Sequence, residues 1–322
     1  SDGCSDLTFT LSQTEFDCSH LGENTVTMTV EDECGRTHSA DAIVTVEDKV
    51  APTITVEAAD ETYECNGTDY TTRFTVWLMN NGNATAYDAC GPLSWTNNST
   101  GLVPGCGNSE SETVTFTVTD GSGNTSTTTA TFSVTDTAPP TIASEATDIL
   151  LECNGDGNTV ELNAWLVANG GAGQATDLCG DVTWSNNFHD FALTCAGTGA
   201  IEVIFTATDE CGNAATTMAS FTIEDTTAPE LTADAEDSTV ECDGFGNVGA
   251  RDAWLTNYAG ATADELCGEI TWSYALESEN ETPCLSTYEY VFTASDDCGN
   301  TVSDTATFSI EDTTEPVALA QD

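Results

Sequence analysis

The sequence predicts a mainly β protein, a tandem array of immunoglobulin-like β-sandwich repeats that each carry one short helix and are cross-linked by disulfides. Three observations carry that prediction. A turn-and-linker string returns at one spacing, its flanks alternate apolar and polar residues, and cysteines and tryptophans recur in register. The clearest string runs from Ala207 through Asp209-Glu210-Cys211-Gly212-Asn213 to the linker Glu224-Asp225-Thr226-Thr227-Ala228-Pro229. Its copies are Asp32-Glu33-Cys34-Gly35, Asp120-Gly121-Ser122-Gly123-Asn124 and Asp296-Asp297-Cys298-Gly299-Asn300, each followed by a linker ending at Pro52, Pro139 or Pro316. A fixed period of this length means units that bury their faces by stacking.

The repeat boundaries follow. Residues 1–51 are the last part of a repeat, 52–138, 139–228 and 229–315 are complete copies, and 316–322 begin another. The first residues match the middle of a repeat, so the chain reads as an excised or mature piece of something longer. Within a copy, the linker leads into a strand ending at a cysteine, as in Ser238-Thr239-Val240-Glu241-Cys242. Leu162, Trp165 and Leu166 then fall at helical spacing before Asn169-Gly170-Gly171, which predicts a short helix with a glycine stop. Ala250, Trp254, Leu255 and Tyr258 agree, whereas Thr71, Thr72, Thr75 and Val76 are β-branched and weaken the helix in the first complete copy. A strand holding Trp95, Trp184 or Trp272 comes next. The closing hairpin is marked by Ile201, Val203, Phe205 and Ala207 on one face and Ala219, Phe221 and Ile223 after the Gly-Asn turn. The tryptophans lie in apolar faces once per copy, which favours core packing over a sugar-stacking platform.

Composition excludes several functions. Four Lys and Arg stand against 55 Asp and Glu, for a formal charge of −51, so nucleic acid and anionic membrane surfaces are repelled. No run reaches the length of a transmembrane helix. Fourteen cysteines without a Cys-x-x-Cys pair, and three histidines at non-equivalent places, favour disulfides over zinc and an oxidising, extracellular location. No catalytic motif is present, and the acids recur in every copy, which points away from an enzyme with one active site.

Four cysteine positions repeat, first to fourth, for example Cys242, Cys267, Cys284 and Cys298. The third and fourth flank one strand about ten residues long, some 30 Å, beyond disulfide reach. If the tryptophan strand runs antiparallel to its neighbour, the second and fourth share one end. The expected pairs are therefore Cys267 with Cys298, Cys242 with Cys284, Cys179 with Cys211 and Cys153 with Cys195. Ser122 replaces a fourth cysteine, so Cys65 should pair with Cys106 and Cys90 stay free, while Cys4 pairs with Cys34 and Cys18 has no partner.

Three aspartates per junction are expected to converge from the linker, the loop before the tryptophan strand and the hairpin turn. These are Asp48, Asp88 and Asp120, then Asp136, Asp177 and Asp209, then Asp225, Asp264 and Asp296. Hard oxygen ligands drawn from separate loops suit Ca²⁺, and aspartates that merely form turns and cap strands are the competing reading.

The succession Glu-Cys, Ala-Trp-Leu, Asp-x-Cys-Gly-x-x-x-Trp, Phe-Thr-Ala-Thr-Asp-Glu-Cys-Gly-Asn and Glu-Asp-Thr-Thr-Ala-Pro resembles the HYR-like, immunoglobulin-like repeats of giant Bacteroidota cell-surface adhesins of the SprB gliding type, which use type IX secretion. The resemblance spans essentially the whole chain, and Ser122 and Glu315-Pro316 depart from it. It implies a structural stalk segment of an extracellular filament or adhesin for surface adhesion or gliding, with neighbouring repeats as partners. Surface glycans or other filament subunits are further partners it allows. It also implies O-glycosylation at Asp-Ser/Thr motifs, here Thr137, Thr226, Ser238, Thr305 and Thr313. Asn-x-Ser/Thr sites at Asn66, Asn83, Asn97, Asn98, Asn124 and Asn280 would serve in a eukaryotic source. The alternatives are a glycan- or protein-binding module, with Phe188, His189, Asp190 and Phe191 as its contacts, or the spacer of a secreted enzyme.

Overall fold

Period-two alternation builds the hairpins, and the computed structural model, which describes residues 6–283 and 285–316, shows what they gather. In the third repeat Gly199–Asp209 and Ala214–Glu224 pair antiparallel. Ile149–Glu152 adds in parallel to the second of these, and Val182–Asn186 flanks the first. The fourth repeat has the same order, Ser238–Glu241, Thr301–Glu311, Leu285–Ser295 and Thr271–Glu281. So does the second, with Glu61–Glu64, Thr125–Thr135, Glu110–Thr119 and Ser94–Asn97, plus the short strand Val103–Pro104. Across each core a two-stranded sheet pairs the linker strand with one after the helix: Thr53–Val56 with Thr85–Tyr87, Thr141–Ile142 with Ala175–Thr176, and Glu230–Ala233 with Thr262–Asp264. The partial copy is a three-stranded antiparallel sheet, Leu7–Leu11, Gly22–Asp32 and Thr37–Val46. The fold is thus the expected tandem, mainly β array with one helix per complete repeat.

The inward hairpin residues are buried, Val203, Phe205, Ala207, Ala219, Phe221 and Ile223 among them, while Ile204 and Met218 on the other face are exposed. Helices Thr71–Met79, Thr159–Val167 and Val248–Thr256 lie over that apolar face. The first of them forms although Thr71, Thr72, Thr75 and Val76 are β-branched. Phe74 and Trp77, three residues apart, are both buried, and burial of one stripe outweighs the small propensity cost of side chains left in water. Trp165 meets Phe205 and Phe221 at ring centroid distances of 5.2 and 5.5 Å. Each helix tryptophan also donates its indole N–H to a backbone carbonyl, Trp77 to Ala59, Trp165 to Thr147 and Trp254 to Glu236. They are core residues. The glycine stop is a steric need at Gly170, whose φ is +68° and where a Cβ would lie 2.6 Å from the Phe205 ring.

The disulfides differ from expectation. They join Cys18 to Cys90, Cys65 to Cys179, Cys106 to Cys211, Cys153 to Cys267 and Cys195 to Cys298, and Cys34 and Cys242 are free. The expected pairs Cys65–Cys106, Cys153–Cys195, Cys179–Cys211 and Cys267–Cys298 are therefore wrong, and Cys18 and Cys90 are bonded; the expected pairs Cys4–Cys34 and Cys242–Cys284 each involve a cysteine outside the described residues. The strand order behind the expectation holds, since Ser94–Asn97 and Thr271–Glu281 do run antiparallel to their hairpin neighbours. Second and fourth cysteines share one end of a repeat, and first and third share the other. What was missed is that one repeat's first and third cysteines abut the next repeat's second and fourth, so the bonds cross the junction. At the first junction Ser122 leaves no fourth cysteine, and Cys18 takes the second, Cys90.

By packing, the chain divides into two compact units. One runs to Pro140 and includes Asp177–Val182 and Asp209–Asn213, and the other holds Thr141–Thr176, Thr183–Thr208 and the chain from Ala214. Each disulfide lies within one unit. Among the described residues, no helix is long and apolar enough to cross a membrane.

Candidate functional site

The junctions are where unusual chemistry collects. Each begins with the hairpin turn, whose aspartate is consumed by the turn itself. Asp209 Oδ1 accepts the N–H groups of Cys211 and Asn213 at 2.8 and 2.9 Å, and Oδ2 accepts the Asn213 side-chain amide at 2.9 Å. Asp120 and Asp296 do the same with Asn124 and Asn300. Burial pushes these three carboxyls up, but the hydrogen bonds from the asparagine and the turn backbone more than offset it and hold them below the usual range. The second amide hydrogen reaches the linker: Asn124 Nδ2 donates to Asp48 O at 3.1 Å, Asn213 Nδ2 to Asp136 O at 3.2 Å, and Asn300 Nδ2 to Asp225 O at 3.1 Å. A Gly-Asn turn thus becomes a latch on the linker.

The linker aspartates are placed otherwise. Oδ1 of Asp48, Asp136 and Asp225 accepts the N–H of Val50, Ala138 and Thr227 respectively, while Oδ2 of all three is buried with no hydrogen-bond partner. Asp136 and Asp225 are themselves buried, 8% and 9% exposed. Burial first, then the negative charges of Asp177, Asp209 and Glu64, raises the Asp136 pKa against the opposing Ala138 hydrogen bond. Burial, then Asp296, Glu265 and Glu152, raises that of Asp225.

The third acid comes two residues before the second cysteine. Asp88 Oδ1 accepts the Cys90 N–H and Asp177 Oδ1 the Cys179 N–H, each at 2.7 Å, leaving the other oxygen toward the linker. Ligand atoms of Asp48, Asp88 and Cys90 lie within 4.8 Å of one another, as do those of Asp136, Asp177 and Cys179. Both sulfurs are in disulfides. What remains is a pair of facing carboxylates with a turn aspartate beside them. At the last junction the expected Asp264 is not the facing acid. It ends the strand Thr262–Asp264 opposite Glu230, and Glu265 takes the place by accepting the Cys267 N–H at 3.1 Å.

An orphaned buried carboxylate oxygen beside a second carboxylate is a donor set for a hard divalent cation, and Ca²⁺, which takes 6 to 8 oxygens, would complete its shell with water and carbonyls. Asp136 Oδ2 with Asp177, and Asp48 Oδ2 with Asp88, would hold it. Its charge would offset the burial and the neighbouring negative charges that raise Asp136.

A second device at the junctions went unread in the sequence. The glutamate before each first cysteine holds the threonines after the linker aspartate. Glu64 Oε1 accepts the Thr137 N–H at 2.7 Å and Oε2 its hydroxyl at 2.9 Å. Glu152 holds Thr226 and Thr227, and Glu241 holds Thr313 and Thr314. Hydrogen bonds from these threonines lower the pKa of all three glutamates. The recurring Glu-Cys dipeptide was the available signal. Thr137, Thr226 and Thr313 are also the expected glycan acceptors, and a sugar there would remove the hydroxyl hydrogen given to the glutamate. Thr305 stands exposed on Thr301–Glu311, and Ser238 opens the strand Ser238–Glu241. In the loop offered as a binding surface, Phe188 and Phe191 turn inward onto the third repeat's core.

No protein-family model and no curated protein matches the chain. Among solved structures it is similar to protocadherin gammaB7 EC3-6, in a cis-dimer structure, at 12% identity over 96% of this chain and 94% of that one, with a TM-score of 0.36. Protocadherin Gamma B2 extracellular cadherin domains 3-6 match at 10% identity over 96% and 93%, TM-score 0.35. Drosophila N-cadherin EC1-4 matches at 10% over 98% and 94%, TM-score 0.26.

The opposite pKa directions give a pH test. The glutamate clamps contribute stability above the ordinary glutamate pKa that is lost as pH falls through their lowered values. Asp136 and Asp225 act in reverse: their contribution is complete below the ordinary aspartate pKa, about 4, and is lost as pH rises through their raised values. With divalent ions chelated, Asp136→Asn together with Asp225→Asn is expected to raise the melting temperature at pH 7 by a few degrees and to leave it unchanged near pH 3. Melting curves across that range check it, and an equal shift at both ends would remove the buried-charge account.

Proposed function

We propose that the chain is a stalk segment of an extracellular filament or adhesin, in which each repeat is bolted to the next and the bolt is stiffened by Ca²⁺. The observation that carries this is the disulfide pattern, since bonds that join successive repeats do nothing for an isolated module but carry tension past each linker. Disulfides persist in oxidising surroundings, which supports a place outside the cell. The acidic surface keeps such chains soluble and apart. Adhesion or gliding at a cell surface is the use that the repeat resemblance implies.

Pulling on the two ends tests the reading. Each complete repeat is about 88 residues, as Cys65 and Cys153 show, so a reduced repeat should release about 300 Å of chain when it unfolds. The oxidised chain should release far less, because the bonded loops overlap along the sequence. Equal release with and without reductant would overturn the stalk reading, as would small-angle scattering from a compact globule.

The metal is tested separately. Calcium at 100 times its dissociation constant should add about 2.7 kcal/mol to the state that binds it. Calorimetry should detect that binding, chelation should lower the melting temperature, and Asp136→Asn with Asp177→Asn should abolish the effect at that junction. No heat of binding and no chelator effect would leave the linker acids as turn and solubility residues.

A further inference from the structure

Within the third repeat a cleft opens between the turn before helix Thr159–Val167 and the loop after strand Val182–Asn186. The turn is closed on itself: Asn154 Oδ1 accepts the N–H groups of Asp156 and Asn158, both at 3.0 Å, and Asn158 Oδ1 accepts the Asn154 N–H at 3.3 Å. The loop is anchored as firmly. Asn186 Oδ1 accepts the Phe188 N–H at 3.1 Å, which turns the chain out of the strand, and Asn187 Oδ1 ties it back to the Ile204 N–H at 2.9 Å. The two walls meet where a Cβ on Gly157 would stand 4.0 Å from Leu193 Cδ1. The other complete copies differ here. In the fourth, Tyr274 stands two residues after the strand tryptophan in place of Asn186, and the strand Thr271–Glu281 runs straight on. In the second, the space is a polar cleft of about 410 Å³ with Thr68, Asp69 and Asn108 in its lining and no aromatic ring among the described residues.

The third repeat's cleft measures about 650 Å³, inside the range of roughly 300 to 1,000 Å³ for small-ligand sites. Its floor is apolar, formed by buried Leu162, half-buried Phe188 and Phe191, and Leu193, which is 48% exposed. Phe191 stands edge-on to the core ring of Phe221 at 6.1 Å, so the floor is fixed before anything binds. The rim carries unspent polar groups. The side chains of Asp156, Thr159 and Asn163 make no hydrogen bond to any described residue. Asp190 gives one carboxylate oxygen to the Phe191 N–H at 2.8 Å and keeps the other. His189 Nδ1 lies 2.8 Å from Asn187 O; a carbonyl only accepts, so the neutral ring carries its proton there and offers Nε2 as an acceptor. No Lys or Arg lines the cleft among the described residues.

We propose that this cleft binds a neutral saccharide of one or two rings. A sugar has an apolar C–H face, which suits the floor of Phe188, Phe191 and Leu193, and hydroxyls that both donate and accept. The rim answers both roles, with Thr159 and Asn163 as donors beside Asp156, Asp190 and His189 as acceptors. An anionic ligand would meet two carboxylates and no opposite charge. A cationic one would leave the hydrogens of the Asn163 amide and the Thr159 hydroxyl without acceptors. The site goes beyond the stalk reading and does not rest on it, since a repeat that only transmits tension has no use for unspent polar groups around an aromatic floor.

The test is saturation-transfer magnetic resonance on the whole oxidised chain. The probes are the methyl glycosides of glucose, galactose, mannose and N-acetylglucosamine and the disaccharide cellobiose, with glucuronate and spermidine as the anionic and cationic probes. The expected result is transfer from protein aromatic protons to the ring C–H protons of at least one neutral probe, and none to glucuronate. Asp156→Ala combined with Asn163→Ala should weaken that binding about tenfold, as the loss of two hydrogen bonds implies. The melting temperature should stay as it is, because both side chains are exposed and bond to nothing described in the protein. Silence from every neutral probe overturns the proposal, as does binding of spermidine alone or binding that the double variant leaves undiminished. None of these outcomes touches the disulfide pattern, so the cleft fails or stands apart from the stalk.

Discussion

Replacing Cys153 and Cys267 together by serine is expected to destabilise the third and fourth repeats by about 4 kcal/mol. With Cys195–Cys298 intact, the bond removed closes a ring of roughly 75 residues, from Cys153 to Cys195 and back from Cys298 to Cys267. In the chain-entropy account a loop of that size restricts the unfolded chain by nearly as much as a 100-residue one. The centre of the third repeat's core is Leu162, Trp165, Phe205 and Phe221, with Cys153 packed at its edge. Far-ultraviolet dichroism should therefore be unchanged while the denaturant midpoint falls. The single variant Cys267→Ser discriminates between pairings. It should expose the thiol of Cys153, whereas a bond within each repeat would expose that of Cys298. Alkylation followed by peptide mapping reads the answer directly.

How far the sequence could be read depends on the range of the interaction. Hairpins, helices and the tryptophan core were legible because each rests on spacing inside one repeat, as with Phe205 and Phe221 across a Gly-Asn turn. The helix Thr71–Met79 shows the limit of local propensity, since four β-branched residues yield to two buried aromatics. The disulfides were misassigned for a different reason. Equivalent cysteines are indistinguishable by position, so an argument about which end of a repeat they occupy cannot say whose end they meet. Strand order placed Cys153 and Cys195 together at one end correctly, yet each found its partner in the repeat that follows. Asp264 is an aspartate like Asp88 and Asp177, but the governing feature is the position two before the cysteine, occupied here by Glu265, where a carboxylate can accept the cysteine's N–H. Glu64, Glu152 and Glu241 were invisible because their threonines lie more than 70 residues away and meet them only when a parallel strand is added to the hairpin.

The other large effect belongs inside a repeat. Trp165→Ala is expected to cost about 3 to 5 kcal/mol, in the range for a buried aromatic truncated in a core that cannot collapse around the gap. The walls of that gap are fixed. Phe205 is held between two hairpin strands, and the backbone at Gly170 already approaches its ring too closely to admit a Cβ. Trp165→Phe should recover most of the loss, since a smaller ring can still meet Phe205 and Phe221, but it leaves the Thr147 carbonyl without the indole N–H that reaches it at 3.3 Å. That carbonyl precedes Asp148, whose carboxylate caps the Ser220 N–H on the hairpin, so the linker side of the repeat should loosen before the sheet does. Hydrogen exchange would show this as early loss of protection from Thr141 to Asp148. The equivalent truncations rank by burial: Trp77→Ala should cost at least as much as Trp165→Ala, because Trp77 is 2% exposed and ringed by Phe74, Phe116 and Phe132. Trp254→Ala should cost less, since that indole is only half-buried. Equal losses at all three positions would mean that one core does not fail independently of its neighbours, and that the disulfide bolts couple the repeats into a single cooperative unit.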